Sequence, residues 1–397
     1  MKEHFFVLDT FRGIAAICVV LFHMHYVGTI TELSFFQHSD VFVEFFFVLS
    51  GFVLAHSYSS KPLNFKKFFI GRTFRLMPLH LFMFVVIFII EIGKLIAYHK
   101  GIVFNNIPFQ AHTDPKEILP NLLLLQTWFT DFNARSFNSP SWSISIEYYI
   151  YFIFFVTLMI KDKARFIVWA VFSFVSLYLI FLNINFSSDI LRGLSSFFAG
   201  VISYHIYRNT NKKINISNGI FSLLEIAFLF ILILLISNEF QYKSILIILF
   251  FATYINLFAF EKGILSHFFR NKIFNTIGKI SYSIYLVHFA LLFLFLATII
   301  IMEKVLHIQL TSMISGERYV DLGHPLINNI LLVGIITGII MVSKFTYIHI
   351  EKKGQELGYY VLNTHPILNL KISFYTLSYF IKEKFHTFKT HKTGHAS

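Results

Sequence analysis

The amino-acid sequence predicts an all-α protein, a polytopic membrane helical bundle of about ten transmembrane helices. Hydrophobic residues make up 56% of its 397 residues and charged residues only 14%, and its mean hydropathy is +0.67. A chain of this composition has too few polar side chains to cover a soluble surface. Its apolar residues also fall into stretches of about 20, the length that a helix needs to cross a bilayer.

The apolar stretches, in chain order, define the predicted spans. They cover residues 11–30, 41–58, 77–97, 142–160, 165–183, 189–207, 219–237, 243–260, 281–302 and 326–348. The stretch 119–129 is only about half a span long, so it is predicted to be re-entrant or interfacial. No basic segment and cleavage site precede the first span, so we expect this span to remain part of the protein.

The basic residues set the predicted orientation. The net charge is +12, and most Lys and Arg lie in short loops on one side of the predicted spans, which the positive-inside rule makes cytoplasmic. These residues are Lys61, Lys66, Lys67, Arg72, Arg75, Lys161, Lys163, Arg165, Arg208, Lys212, Lys213, Arg270, Lys272 and Lys279. Both termini are then cytoplasmic. Because no single segment gathers the basic residues, nucleic acid is not an expected partner.

The chain is predicted to hold one membrane domain, residues 1–358, followed by a basic tail, residues 359–397. The tail mixes apolar residues with lysines, so we expect it to be partly an interfacial helix on anionic lipid or else disordered. Membrane lipids are therefore expected partners. The sequence does not indicate the oligomeric state.

Three titratable residues are predicted at similar depth in the outer leaflet. His23 follows Arg12 by eleven residues in the first span, or about 16 Å at 1.5 Å per residue. Glu44 lies near the outer end of the second span, and Glu147 lies in the first turns of the fourth. An imidazole that takes a proton from a hydroxyl, with a carboxylate that orients it, is typical of base catalysis. The alternative is that His23 only packs against a neighbouring helix.

Metal chemistry is not predicted at this histidine. His23 and His25 would point to nearly opposite sides of a helix, and the chain has no H-E-x-x-H pattern. Cys18 is the one cysteine, so an internal disulfide is ruled out. We interpret it as a packing residue, the alternative being an acyl-carrying thiol.

Arg72 and Arg75 are the second candidate site. They are three residues apart and share one helical face, and paired guanidinium groups are well suited to phosphate. The alternative is that they only signal orientation at the inner membrane face. Ser50 and Gly51 are predicted to let helices approach closely. His288 is interpreted as a contact for the acyl donor, as a support for the arginine loop or as a packing residue. Arg192 is interpreted as a ligand of an anionic acceptor or as a residue that only reaches the interface.

Six segments of the chain, in order, resemble the acyltransferase 3 family of integral membrane acyltransferases. The segments are Asp9-Thr10-Phe11-Arg12-Gly13 with His23, Glu44-Phe45-Phe46-Phe47-Val48-Leu49-Ser50-Gly51-Phe52, Arg72-Thr73-Phe74-Arg75-Leu76-Met77-Pro78, Trp142-Ser143-Ile144-Ser145-Ile146-Glu147-Tyr148-Tyr149, Ile280-Ser281-Tyr282-Ser283-Ile284-Tyr285-Leu286-Val287-His288 and Ile350-Glu351. Their positions, from residue 9 to residue 351, span nearly the whole chain.

This resemblance implies transfer of an acyl group, most often acetyl from acetyl-CoA, to a hydroxyl of a saccharide. It implies a catalytic role for His23, donor handling by Arg72 and Arg75, and a motif role for Trp142 and Glu147. Acyl-CoA would be a co-substrate rather than a permanently bound cofactor. A bacterial inner membrane is the implied location. The chain departs from the family in Glu44, where aspartate is common, and after Glu351, where proline often follows, so that helix end is expected to differ.

The sequence therefore predicts a membrane O-acyltransferase that modifies a cell-surface or lipid-linked saccharide such as lipopolysaccharide. His23 would be the general base, Glu44 or Glu147 its orienting acid, Arg72 and Arg75 the donor ligands, and Trp142 a substrate contact. Two other classes stay open. A proton-coupled transporter would also carry intramembrane His and Glu, and a scaffold without activity would leave these residues unexplained.

Overall fold

Long α-helices form most of the protein, as the composition predicts. The computed structural model describes residues 4–59, 64–101, 104, 107–184, 187–211 and 216–364. Its α-helices are α1 Phe6–Phe22, α2 Ser34–Gln37, α3 Phe42–Tyr58, α4 Phe65–His99, α5 Ile118–Leu122, α6 Ser141–Leu158, α7 Asp162–Phe181, α8 Ser188–Thr210, α9 Asn218–Ser237, α10 Lys243–Ala259, α11 Ile264–Phe269, α12 Lys272–Lys279, α13 Ser281–Leu306, α14 Pro325–Thr346 and α15 Lys352–Asn363. Two short antiparallel strands, β1 Thr311–Ile314 and β2 Glu317–Val320, form a hairpin between α13 and α14.

Each predicted span falls on one of these helices, and the all-α membrane bundle is confirmed. Within the described residues, 7 helical stretches are long and apolar enough to cross a membrane. They are Ser39–Tyr58, Phe65–His99, Ser141–Leu158, Asp162–Phe181, Asn218–Ser237, Ser281–Leu306 and Pro325–Asn363. Of the helices on the other three predicted spans, α10 is apolar but shorter, while α1 and α8 carry charged residues. The number ten and the side of each terminus remain predictions.

The first helix ends earlier than predicted, at Phe22 rather than at residue 30. The chain after it leaves the helix to pair with the hairpin, because the N–H of Val27 donates to the carbonyl of Val320 and the N–H of Val320 donates to that of His25. Tyr26 and Val320 form a parallel bridge. We call this end of the bundle the hairpin end.

The opposite end of the bundle holds the start of α1 together with α11 and α12. Thr10 Oγ1 donates to the carbonyl of Phe269 at 2.8 Å, and Arg12 donates to that of Gly278 at 2.8 Å. The start of α1 is thereby bound to α11 and α12. The first turns of α4 lie against α15 at the same end, since a Cβ added at Gly354 would overlap Pro78. We call it the basic end, after Arg12, Arg75 and Lys279.

The C-terminal helix does not stop after Glu351. A π-helix, Tyr347–Glu351, connects α14 to α15, so the different helix end expected there is a continuation, not an earlier stop. Gly354 and Gly358 let α15 lie close against Pro78 and Phe74 of α4. Most of the predicted tail, residues 365–397, lies outside the described residues.

The stretch 119–129 is not a transmembrane helix. It consists of α5 and the turns after it, which are bound to their neighbours by polar contacts. His80 Nε2 donates to the carbonyl of Asn121 at 2.8 Å, and Trp128 Nε1 donates to that of Ser145 at 3.1 Å. These contacts satisfy irregular backbone that would be costly in contact with lipid.

Candidate functional site

A cavity near the basic end is lined by both residues of the predicted donor site, Arg72 and Arg75. Its empty volume is about 900 Å³, and it lies between α1, α3, α4, α6, α12, α13 and the π-helix. Its charged lining consists of Arg12, Arg72, Arg75, Lys279, Glu147 and Glu351. Four cationic groups face two carboxylates, and this excess of positive charge would favour an anionic ligand.

Arg72 and Arg75 line this cavity together, as their spacing predicts. The guanidinium of Arg72 lies 5.9 Å from the ring centres of Tyr58 and Tyr151. Its Nε is buried and has no hydrogen-bond partner within the described part of the chain. A buried charged donor without an acceptor is unfavourable, and an anionic ligand would supply one.

Glu147 belongs to this cavity and not to the surroundings of His23. Ser50 Oγ donates to Glu147 Oε1 at 2.5 Å, and the hydroxyl of Tyr151 donates to the same oxygen. Arg75 lies within electrostatic reach of both Glu147 and Glu351. Glu147 is the seventh residue of α6 and faces the cavity near the basic end. The sequence predicted its approximate depth but not the neighbours that it faces.

Arg12, Lys279 and Glu351 were not predicted as site residues. Arg12 Nε donates to Ser281 Oγ at 2.9 Å, and Arg12 also pairs with Asp9 at 3.0 Å. Glu351 accepts from Ser283 Oγ at 2.9 Å. A charged residue at the start of an apolar span is usually read as an orientation signal, and only the fold shows that these three meet in one cavity.

His23 lies at the hairpin end, directly after α1. Its ring centre is 5.3 Å from that of His288, 4.9 Å from that of Phe22 and 6.2 Å from that of Phe289. The side chain is half-buried. Among the described residues, His23 makes no contact with Glu44 or Glu147, because both carboxylates have other partners. Its neighbour is instead His288, whose role the sequence left open.

One face of α13 connects the cavity to His23. Ser281, Tyr282 and Tyr285 line the cavity, and His288 follows one turn after Tyr285 on the same face. The ring centres of Tyr285 and His288 are 6.0 Å apart, and His288 in turn contacts His23. The cavity wall and the histidine are thus separated by a single side chain.

Glu44 belongs to a second charged cluster at the hairpin end. Its Oε1 accepts from Arg192 Nε at 2.6 Å, and Arg192 also pairs with Asp189 at 3.3 Å. Arg135 pairs with the other carboxylate oxygen of Asp189, Oδ2, at 2.7 Å. Glu44 is buried, and its Oε2 has no partner among the described residues. This cluster borders a second cavity of about 1000 Å³.

Trp142 connects this cluster to the bundle core. The guanidinium groups of Arg135 and Arg192 lie 4.4 Å and 5.6 Å from its ring centre, and the side chain is only 7% exposed. Protein groups therefore cover the indole, and its role as a substrate contact remains a prediction. Arg192, which the sequence left outside the site, is the residue that holds Glu44 and Trp142 together.

Comparison with known proteins assigns the family. The family model described as acyltransferase domain, of the acyltransferase 3 family, matches residues 6–343. The curated acyltransferase MdmB of Streptomyces mycarofaciens is 33% identical over 116 residues, which are 29% of this chain and 27% of that relative. The matched part of the chain thus spans about a quarter of the relative's length. No solved structure matches this chain.

The match over residues 6–343 covers well over half of the chain, and it agrees with the all-α membrane bundle that the structure shows. The chain therefore belongs to the acyltransferase 3 family.

Proposed function

We propose that the protein is an O-acyltransferase that moves an acyl group, acetyl in the simplest case, from acyl-CoA to a hydroxyl of a cell-surface or lipid-linked saccharide. The donor would bind in the cavity near the basic end, and His23 would be the general base. A bacterial inner membrane is the proposed location, with the basic end in the cytoplasm, where acyl-CoA is made.

The observation that carries this proposal is the α13 face that leads from the arginine cavity to His23. Ser281, Tyr282 and Tyr285 border the cavity and His288 borders His23. A donor phosphate held by Arg72 and Arg75 could therefore place its thioester near Tyr285, beside the histidine pair. This favours direct reach of the pantetheine arm between the helices over an acyl group relayed on the protein.

The proposed reaction uses a small number of steps. His23 takes the proton of the acceptor hydroxyl, whose oxygen attacks the thioester carbonyl. The carbon–sulfur bond then breaks, and the CoA thiolate takes the proton back from the imidazolium. Such general base catalysis typically contributes about 10²–10⁴-fold in rate.

Glu44 and Glu147 have proposed roles that differ from the orientation of His23 predicted from the sequence. Glu147 would fix Ser50 and Tyr151 and balance the charge of Arg75 in the donor cavity. Glu44 would hold Arg192 at the hairpin end. Neither is proposed as the acid that orients His23.

Product analysis tests the proposed function. Surface glycans from cells with the intact gene, without it, and with His23→Ala at equal membrane abundance would be compared by mass spectrometry. We expect an acetyl-sized mass increment only with the intact protein. Modification that persists in His23→Ala would reject the proposed base, and an unmodified but relocated solute would indicate a transporter instead.

Purified protein in nanodiscs identifies the donor. Acetyl-CoA and succinyl-CoA would be supplied separately with saccharide acceptors, and release of free CoA thiol would be followed. Thiol release that requires both donor and acceptor supports transfer. Release without acceptor and without an acylated product would contradict it.

A further inference from the structure

His288 is a fully buried imidazole beside the proposed base. It lies in α13, and its side chain has 0% exposure. Its ring centre is 5.3 Å from that of His23, with 32° between the ring planes. Two ring nitrogens pointed at each other across this separation would lie about 3 Å apart, within hydrogen-bond distance.

The hydrogen bonds of His288 define its tautomer. Its Nδ1 lies 3.2 Å from the carbonyl oxygen of Ile284. A carbonyl can only accept, so Nδ1 carries the proton, and Nε2 of the neutral ring is an acceptor. This Nε2 is buried and has no partner among the described residues.

The ring nitrogens of His23 also have no hydrogen-bond partner in the described parts of the chain. One neutral imidazole offers an N–H, and its neighbour offers a buried acceptor that lacks a donor. Buried acceptors are nearly always satisfied in folded proteins. The pair is therefore complementary in chemistry as well as in position.

We propose that His288 is a positioning residue for His23, whose ring N–H it accepts at Nε2. The contact would fix His23 in the tautomer that presents its unprotonated nitrogen to the acceptor hydroxyl. The inference rests on the proposed function and gives His288 the part usually played by a carboxylate or backbone carbonyl next to a catalytic histidine.

The proton balance of this arrangement is simple. When the acceptor hydroxyl transfers its proton to His23, the imidazolium keeps its other N–H on Nε2 of His288. No proton needs to pass to His288, because the thiolate leaving group takes up the proton of the hydroxyl. The second imidazole thus orients the base and stabilises its charged form.

Kinetics of three purified variants test the role. In His288→Phe, which keeps a ring but removes the acceptor, we expect kcat to fall about 10–100-fold, part of the general-base contribution, while KM for acyl-CoA stays within about twofold of wild type. In His288→Gln, whose side-chain oxygen can accept, we expect part of the lost kcat to return. His23→Ala sets the floor.

His80→Phe is the matched control. His80 is also buried, donates from Nε2 to the carbonyl of Asn121 and leaves its Nδ1 without a partner, but it has no part in the proposed site. A loss of kcat in His288→Phe with little change in His80→Phe supports the proposal. Equal losses in both variants, or wild-type kcat in His288→Phe, would overturn it.

A spectroscopic measurement separates this inference from the proposed function. In ¹⁵N-histidine-labelled protein, the His23 ring signals, assigned by their loss in His23→Ala, should change between wild type and His288→Phe, because a donor loses its acceptor. Unchanged signals would refute the hydrogen bond whatever the activity. If the His23 signals differ between the two proteins but the wild-type protein transfers no acyl group, the hydrogen bond is supported and the proposed function is rejected.

Discussion

At the level of single residues, several of the charged side chains inside this apolar bundle form ion pairs. Glu44 is neutralised by Arg192, Lys94 pairs with Glu91 at 2.6 Å, and Arg12 pairs with Asp9. An unpaired charge in a membrane is costly. Buried hydrogen-bond donors without a partner among the described residues, above all Arg72 Nε, therefore mark the places where a ligand is expected.

Arg72 and Arg75, the proposed ligands of acyl-CoA, give the first prediction. Arg72→Lys and Arg75→Lys should each raise KM for acyl-CoA about 10-fold or more, since a charged hydrogen bond is worth roughly 1.5–3 kcal/mol and lysine cannot bind phosphate with two parallel donors. Initial rates in nanodiscs at varied donor concentration measure this. Arg208→Lys, at an exposed position near the end of α8, is the control. An unchanged KM in both donor-site variants would contradict the assignment.

The Glu44–Arg192 pair gives a second prediction, about stability. Arg192→Met should destabilise the protein by about 3–5 kcal/mol, because it leaves a buried carboxylate without its cation. The double variant Glu44→Leu with Arg192→Met should recover most of this loss. Thermal unfolding in detergent checks both variants. A double variant no more stable than Arg192→Met would show that the pair is not the source of the effect.

At the level of elements, close contact between α3 and α8 holds the centre of the bundle. A Cβ on Gly51 would overlap the carbonyl of Phe197, and one on Gly200 would overlap the carbonyl of Val48. Small residues at helix interfaces give this backbone approach in membranes. The close packing predicted for Gly51 is confirmed, whereas Ser50 beside it donates to Glu147.

This contact gives a third prediction. Gly200→Val should force α3 and α8 apart and cost about 1–3 kcal/mol, the usual effect of overpacking. Gly338→Ala on α14 should be neutral or slightly stabilising, since open space surrounds that position. Unfolding midpoints in the same detergent compare the two variants. A stable Gly200→Val protein would contradict the packing argument.

The contact between α15 and α4 gives a fourth prediction. Gly354→Leu should push α15 away from Pro78 and disturb the helix that carries Arg72 and Arg75. We expect KM for acyl-CoA to rise more than unfolding stability falls. Gly334→Leu on α14, with nothing near its Cβ, is the control. An unchanged KM together with a large loss of stability would assign α15 a structural role alone.

At the level of the whole molecule, the two ends of the bundle differ in chemistry. The basic end combines the arginine cavity with α11, α12 and α15, and the hairpin end combines His23, the hairpin and the Glu44 cluster. An acyl donor on one side and a saccharide on the other would meet between them. This arrangement makes membrane orientation part of the proposed function.

Cysteine labelling gives a fifth prediction, on orientation. The single native cysteine, Cys18, is buried, so the Cys18→Ala variant should stay active and serve as the background for labelling. Its activity also tests whether the Cys18 thiol carries the acyl group. In that background, a membrane-impermeant maleimide should label Ser315→Cys at the hairpin turn in intact spheroplasts and Lys163→Cys, at the start of α7, only after lysis. The reverse pattern would invert the proposed orientation.

The sequence by itself determined the fold class and the family. Apolar stretches of about span length dictate helices in a bilayer, because only internal hydrogen bonds satisfy the backbone there. The spacing of Arg72 and Arg75 was enough to predict that they share a face, and the cavity contains both.

Only the tertiary structure decided which of these residues meet. Depth along a helix can be read from residue number, but rotation about the helix axis and the choice of neighbours depend on packing among helices far apart in the chain. Glu44 and Glu147 were therefore predicted beside His23. In the structure, Glu44 binds Arg192, and Glu147 accepts hydrogen bonds from Ser50 and Tyr151. The same packing brings His288, 265 residues after His23 in the chain, to its side.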